Sequence, residues 1–308
     1  MKFEVRGSSR PHDAQSGSAR RYAHDVRESF LVSILTPSFN QGRFIGDCLR
    51  SVANQTYRNI EHIVMDGGSA DETIEVLKAA TGSVRWTSEP DRGQSHALNK
   101  ALAASQGEYI GWLNSDDAYV DRRSVAGAGE VFQKHPEVGV VYGHSLVINA
   151  ANRVLQFNWA PPAAERLLFT GLRYTQPSVF IRRSVLPDPF VREDLNYVMD
   201  RDLWLRLRGR TVFRRQNLVV GADRHHGDRK ILSSGFESEK VRYGAEGAER
   251  VWPLPAWKAT SLLFRQIAGV QVPWLRGRME PAIGLRFDSA LPMMRRQSLQ
   301  RRRDMPGD

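Results

Sequence analysis

Two adjacent carboxylates, Asp116 and Asp117, follow the apolar run at 109–113 and the pair Asn114-Ser115. Side by side they repel each other unless a cation lies near. Hard divalent ions take carboxylate oxygens, and Mg²⁺ or Mn²⁺ often bridges on to a substrate's phosphates. An Asp-Asp pair also caps helices, so in isolation it leaves both readings open. Two earlier apolar runs also end in polar residues, one in Thr36-Pro37-Ser38-Phe39-Asn40 and the other in Asp66-Gly67-Gly68-Ser69. One polar strand end is ordinary, because Asp, Asn, Ser and Gly favour turns. Three at one edge of a parallel sheet converge in space. Between them, Ser88-Glu89-Pro90-Asp91-Arg92-Gly93-Gln94-Ser95 sets Arg92 ahead of a glycine at a helix start. Arg92 there either reaches a phosphate beside the helix's first amides or pairs with Asp91 in a surface loop.

Such residues need a scaffold, and the sequence alternates between two periods. Short apolar runs at 31–36, 60–65, 84–87, 109–113 and 138–142 read as strands. Residues 44–53, 97–104 and 125–134 read as helices, and Asp71 can cap another that carries Ile74, Val76 and Leu77. This alternation over short connections predicts an α/β fold, a mostly parallel sheet with helices on both faces. Ligands in such sheets bind beyond the carboxyl ends of the strands. Further on, 178–182 and 218–220 read as strands and 198–208 as a helix. In that helix Asp200 and Asp202 point about 200° apart, so only one can face a site.

The chain has 308 residues, 41% of them hydrophobic and 25% charged, with the single Cys48. That composition excludes a wholly disordered chain, a fibre and a disulfide scaffold, and one thiol suits a reducing compartment. The net charge of +10 suggests an anionic partner: nucleic acid, a membrane surface or a phosphorylated substrate. Residues 1–29, rich in Ser, Arg and Gly, read as a flexible arm, 30–235 as the α/β domain, and 236–308 as a basic helical extension. No uncharged apolar run reaches the roughly 18 residues of a spanning helix, and the N-terminus lacks a signal peptide's apolar core. The expected location is therefore cytoplasmic. Between Trp252 and Arg278, apolar residues are mixed with Lys258, Arg265 and Arg276 around Pro273. Two short amphipathic pieces are expected there. They either close over the domain or hold it at the inner face of an anionic membrane.

Taken together, the polar strings resemble the inverting glycosyltransferases of family 2, which have the GT-A fold. The resembling strings are VSILTPSFNQ (32–41), NQTY (54–57), IVMDGGSAD (63–71), SEPDRGQ (88–94), WLNSDD (112–117), QPSVF (176–180) and MDRDLWLR (199–206). They run in the family's order over roughly two thirds of the chain. The resemblance implies transfer of a sugar from a nucleotide diphosphate sugar, UDP-linked, to a hydroxyl of a glycan or lipid-linked acceptor, with Mg²⁺ or Mn²⁺ as cofactor.

It also implies roles for individual residues. Asp66 matches the acid that hydrogen-bonds the nucleobase, and Thr36, Pro37, Ser38 and Asn40 lie where the family holds base and ribose. Arg92 matches a basic residue near the diphosphate. Asn114-Ser115-Asp116 aligns with the Asp-x-Asp metal motif, with Asn in place of its first Asp, so Asp116 is the expected ligand and Asp117 its neighbour. Asp200 matches the catalytic base, with Met199 where many relatives carry Glu. His226, in Arg224-His225-His226, matches a histidine that reaches the metal or the diphosphate. Acceptor recognition is expected around 143–175, where Phe157, Trp159 and Tyr174 could stack on sugar rings.

Readings from other classes fit less well. A nucleic-acid binder would spread its basic residues along a groove, whereas here Arg295, Arg296, Arg301, Arg302 and Arg303 crowd the tail. A dinucleotide enzyme would carry Gly-x-Gly-x-x-Gly after its first strand, where this chain has Pro37-Ser-Phe-Asn-Gln-Gly42. A degenerate sugar-nucleotide binding protein of the same fold is the remaining alternative, supported by Asn114 and Met199.

Overall fold

A computed structural model of the chain describes residues 30–82, 84–162, 175–232, 235–243 and 279–286. The N-terminal arm, Tyr174 and the amphipathic stretch at 252–278 lie outside the described residues.

The first half follows the alternation in the sequence: β1 (Val32–Ser38), α1 (Gly42–Ala53), β2 (Ile60–Asp66), α2 (Thr73–Ala79), β3 (Val84–Ser88), α3 (Gln94–Ala103) and β4 (Tyr109–Trp112). A short β5 (Ala118–Tyr119), α4 (Ser124–Lys134), a long β6 (Val138–Asn149) and β7 (Val154–Asn158) come next. They are followed by β8 (Val179–Arg182), α5 (Met199–Leu207), β9 (Val212–His225) and α6 (Gly235–Tyr243). The strands form one sheet in the order β3-β2-β1-β4-β8-β6-β9-β5, with β7 paired to β6. β3, β2, β1 and β4 are parallel to one another, and so are β6 and β9. β8 runs antiparallel to both β4 and β6, so it joins the two parallel groups in one sheet.

All seven residues of β1 are buried, as expected of a central strand covered on both faces. Its side chains alternate between two layers. Val32 and Ile34 pack with Cys48 and Val52 of α1 and Phe132 of α4. Leu35 packs with Ala97, Leu98 and Ala101 of α3 and Leu203 of α5. In β2, Val64 meets Ile45, Leu49 and Leu77 of α1 and α2, while Ile63 and Met65 face the α3 layer. Period-two alternation on the strands thus puts helices on both faces, as predicted. Pro37 falls beyond the register with β4, which ends at Leu35–Trp112. Val32 donates to Asn59 on the β2 side, so the odd residues face β4 and Pro37 costs no ladder bond.

Two parts of the tail expected to be helical are described. α6 is a helix that packs its buried Glu239 and Tyr243 against the domain. Residues 279–286 are irregular instead, with isolated bridges at Pro281 and Arg286. Ala282 donates to Val120 O, Arg286 donates to Asn152 O, and Ile283 is buried beside Ala118 and Val120. No described helix is long and apolar enough to cross a membrane.

Candidate active site

A pocket of about 630 Å³ opens beyond the carboxyl ends of β1, β2 and β4, within the range typical of small-molecule sites. Pro37 and Ser38 form one wall and Asn114, Ser115, Asp116 and Asp117 the floor. Asp91, Gly93 and Gln94 come from the start of α3, and Asp223, Arg229 and Lys230 close the far side. The loops fit because small residues let them approach. Gly93 has φ +108° at the α3 N-cap, where side chains are strained, and a Cβ on Gly67 would come within 2.9 Å of the Asp91 carboxylate.

The acidic floor is tied together from several directions. Asp117 is buried, and its two oxygens accept from the Arg224 backbone N–H (2.9 Å) and Asn114 Nδ2 (3.2 Å). Burial, then the carboxylates of Asp116 and Asp223, push its carboxyl well above the ordinary range. Asn114 Oδ1 accepts from Gln94 Nε2 and Trp112 Nε1, both at 2.8 Å. The amide at the departed motif position therefore both donates and accepts, and a carboxylate would face Asp117 directly. Arg224 is fully buried over the Phe44 ring. Its guanidinium donates to Asp116 O (2.7 Å), Asn149 O (3.3 Å), Asn152 Oδ1 (2.5 Å) and Asp47 Oδ2 (3.0 Å), which pins the floor to the end of β6 and to α1.

Asp116 Oδ2 lies 3.1 Å from His226 Nε2. That is about the separation of two adjacent ligands on an octahedral ion with ~2.1 Å bonds. Asp228 N donates to His226 Nδ1 at 3.3 Å, so in the neutral ring Nε2 carries the proton and donates to Asp116; both would face a divalent ion once that proton is given up. Among the described residues no group of three His, Cys, Asp or Glu forms a cluster able to hold a metal. An ion here would take its other ligands from substrate oxygens and water, the habit of Mg²⁺-type sites.

The far wall mixes charges, Asp223 and Asp228 beside Arg229 and Lys230. Arg229 pairs with Asp223 at 2.8 Å. Lys230 lies 5.3 Å from the centroid of the Tyr197 ring. Burial lowers its ammonium pKa, against the opposing pull of Glu239 and Asp91. Phe39, 60% exposed, offers an apolar face at the rim.

The other residues singled out in the sequence lie close by without lining this cavity. Asp66 is buried at the end of β2. It accepts from Gly68 N (3.1 Å), Ser69 N (2.9 Å), Ser69 Oγ (2.5 Å) and Ser88 Oγ (2.6 Å), so it shapes the loop that carries Gly67. Asn40, at φ 51°, clasps the same loop through Ser69 Oγ and Ala70 N. Thr36 is fully buried beneath the pocket, 2.9 Å from His62 Nε2. Arg92 turns to Glu193 at 2.6 Å and not to Asp91, whose Oδ1 accepts the Gly93 N–H at 2.7 Å. Asp200 stands in the first turn of α5, half-buried, and its Oδ1 accepts from Arg201 N at 2.7 Å. Asp202, on the opposite side, is buried against Arg206 at 2.6 Å. Sequence reasoning missed Gln94, Asn196, Asp223, Arg229 and Lys230. A signal existed for two of these: Asp228-Arg229-Lys230 follows His226 after a single glycine.

A protein-family model described as "Glycosyl transferase family 2" matches residues 33–186. The chain is 30% identical over 209 residues to chondroitin synthase of Pasteurella multocida (strain Pm70), covering 66% of this chain and 22% of that protein. It is 30% identical over 203 residues to hyaluronan synthase of Pasteurella multocida, covering 64% and 21%. The chain therefore spans about a fifth of the length of these relatives. Among solved structures, S. aureus TarS 1–349 in complex with UDP-GlcNAc superposes with a TM-score of 0.55 at 18% identity, over 70% of this chain and 66% of that one. Mannosyltransferase PcManGT from Pyrobaculum calidifontis, in complex with GDP-Man and Mn²⁺, gives 0.54 at 19% identity, over 82% and 75%. At that identity these likenesses speak for the fold, which is the GT-A arrangement expected from the sequence.

Proposed function

The chain belongs to glycosyl transferase family 2, and on that footing we propose that it moves a sugar from a nucleoside diphosphate sugar, UDP-linked, to a hydroxyl of a glycan or lipid-linked acceptor, with inversion and with a divalent ion. The observation that carries the reading is Asp116, which lines one pocket with Lys230 and Arg229 and has the buried side chain of His226 3.1 Å behind it. Carboxylates on the floor with Arg229 and Lys230 in the same pocket suit a ligand that brings both a bound cation and phosphate oxygens. The names of the curated relatives extend the proposal to polysaccharide synthesis.

In this reading Phe39 gives the nucleobase an apolar surface, and Ser38, whose Oγ is buried without a partner, supplies a hydrogen bond nearby. Asp116, and His226 once it gives up its Nε2 proton, would hold the ion, and Lys230 and Arg229 would face the diphosphate. A divalent ion bound there neutralises charge that develops on the departing diphosphate. Asp200 takes the proton of the acceptor hydroxyl as its oxygen attacks the anomeric carbon. The new C–O bond forms on the face opposite the leaving group, and the nucleoside diphosphate departs with the electron pair. A single displacement inverts the configuration and needs no protein nucleophile.

The test is a thermal-shift screen of UDP- and GDP-sugars, each with Mn²⁺ and with EDTA, followed by a donor-turnover assay that detects free nucleoside diphosphate. Metal-dependent stabilisation by one donor class, with turnover, is expected. Binding without turnover, under any acceptor mixture or by hydrolysis, would favour the degenerate binding protein.

A further inference from the structure

Glu239, in the middle of α6, has no part in the chemistry above, yet only 7% of it is exposed. Its carboxylate accepts three backbone N–H groups. Oε2 takes that of Asn196 at 2.7 Å, and Oε1 takes those of Tyr197 at 2.6 Å and Val198 at 3.0 Å. These three residues lead directly into α5. The N-cap of α5 is Val198, which makes no side-chain cap hydrogen bond. A helix start normally finds its acceptor in a Ser, Thr, Asp or Asn side chain at that position. Glu239 does not replace that cap: from another helix it accepts the N–H of the N-cap residue and of the two residues before it, which sets a full negative charge near the positive end of the α5 dipole.

α6 is held so that this carboxylate stays in place. Tyr243 Oη donates to Asp202 Oδ1 at 3.3 Å. The Phe236 and Tyr197 rings meet edge to face at 6.1 Å, and Gly235 leaves room for Tyr197, since a Cβ would sit 2.7 Å from its hydroxyl. The segment so braced reaches the site directly at one residue and carries the proposed base next to it. Asn196 lines the pocket, and Asp200 follows Val198 by two residues in the first turn of α5.

We infer that Glu239 is a positioning residue for transfer: from α6 it fixes the start of α5, and through it the orientation of Asp200 toward the acceptor hydroxyl. The inference rests on Asp200 being the base.

The experiment compares Glu239→Gln, Asp200→Asn and the double variant in the full chain, with kcat and donor KM measured separately. Gln keeps the volume and one accepting oxygen but loses the charge and the second acceptor. A misplacement of reacting groups by ~1 Å costs about a hundredfold. Glu239→Gln should therefore lower kcat about 10- to 100-fold while donor KM moves less than about threefold, the pattern of an interaction lost in the transition state. In the Asp200→Asn background the same change should lower kcat no further. If Glu239→Gln yields no folded protein, Glu239→Asp keeps the charge on a shorter arm and should give an intermediate kcat loss with the same KM. Asp200→Asn at the wild-type rate would overturn the base assignment and this inference with it. Impaired Asp200→Asn beside a fully active Glu239 variant would overturn the inference alone. So would losses that multiply in the double variant, or a drop in donor affinity that accounts for the whole effect.

Discussion

Replacing Asn114 by Asp restores the motif residue that the family usually carries, and the structure says that this should cost stability. In the wild type Nδ2 bridges to Asp117 Oδ2 at 3.2 Å, and Oδ1 accepts from Gln94 and Trp112. A carboxylate at 114 keeps both acceptor bonds and makes them charge-assisted, a gain of about 1 kcal/mol each. The bridge, however, becomes a contact between two carboxylates. Unit charges 3.2 Å apart repel by about 5 kcal/mol at an effective dielectric of ~20. Asp117 is already pushed toward its protonated form by burial and by Asp116 and Asp223, so proton uptake relieves part of this. The balance is a loss of about 2–3 kcal/mol, or roughly 3–5 °C in Tm for a chain of this size. A divalent ion beside Asp116 would oppose the added charge, so Mn²⁺ should raise the Tm of Asn114→Asp more than that of the wild type. Thermal unfolding by circular dichroism, in EDTA and in Mn²⁺, measures both quantities. A variant as stable as wild type in EDTA would refute the reasoning about the bridge. Equal Mn²⁺ increments in the two proteins would refute the placement of the ion.

Three further outcomes follow from named contacts. Asp116→Ala should abolish the Mn²⁺-dependent thermal shift with donor and lower transfer about a hundredfold or more, while the metal-free unfolding temperature stays near wild type, since the side chain is 22% exposed. Lys230→Met should raise donor KM about 10- to 100-fold, the worth of one hydrogen bond to a charged phosphate, with little change in the affinity of a plain nucleoside in a calorimetric titration. His62, fully buried beside Thr36, is lowered by burial from 6.5 to about 4. Because the unfolded chain binds that proton first, stability should fall as pH drops from about 6.5 toward about 4, by up to ~3 kcal/mol from this residue; His62→Asn should remove that share in urea melts at pH 7 and 4.5.

The polar strand ends were legible because parallel strands deliver their carboxyl ends to one place whatever the loops do. That logic correctly brings Pro37, Ser38 and Asn114 to Asp117 together. It does not tell which oxygens remain free once the loops fold. Asp66 spends both oxygens on its own loop, and Thr36 turns inward to His62, because alternation along β1 sends neighbouring side chains to opposite faces. Arg92 meets Glu193, about a hundred residues away in sequence, a partner no local pattern names. β6 was legible only to Tyr142, since Gly143-His144-Ser145 interrupts the apolar run. In the fold His144 accepts from Ala160 N at 3.0 Å and Ser145 from Thr175, and such satisfied polar groups let the strand continue to Asn149.

The same limit explains why Lys230 and the brace escaped the sequence. Lys230 and Glu239 belong to a segment with little apolar periodicity, and α6 is only nine residues long. Nothing local marks Glu239 as different from Glu237, yet Glu237 reaches only Lys240, at 3.4 Å on the surface, while Glu239 is buried against three amides. A carboxylate is rarely buried without compensation, and the compensation here is the run of backbone N–H groups at 196–198 that leads into α5. Val198 at the N-cap offers no side-chain oxygen, and the first turn draws on Asp200, which accepts from Arg201 N. The three amides at and before the N-cap are the ones that Glu239 takes, so the lead-in to the helix that carries the proposed base is held from α6.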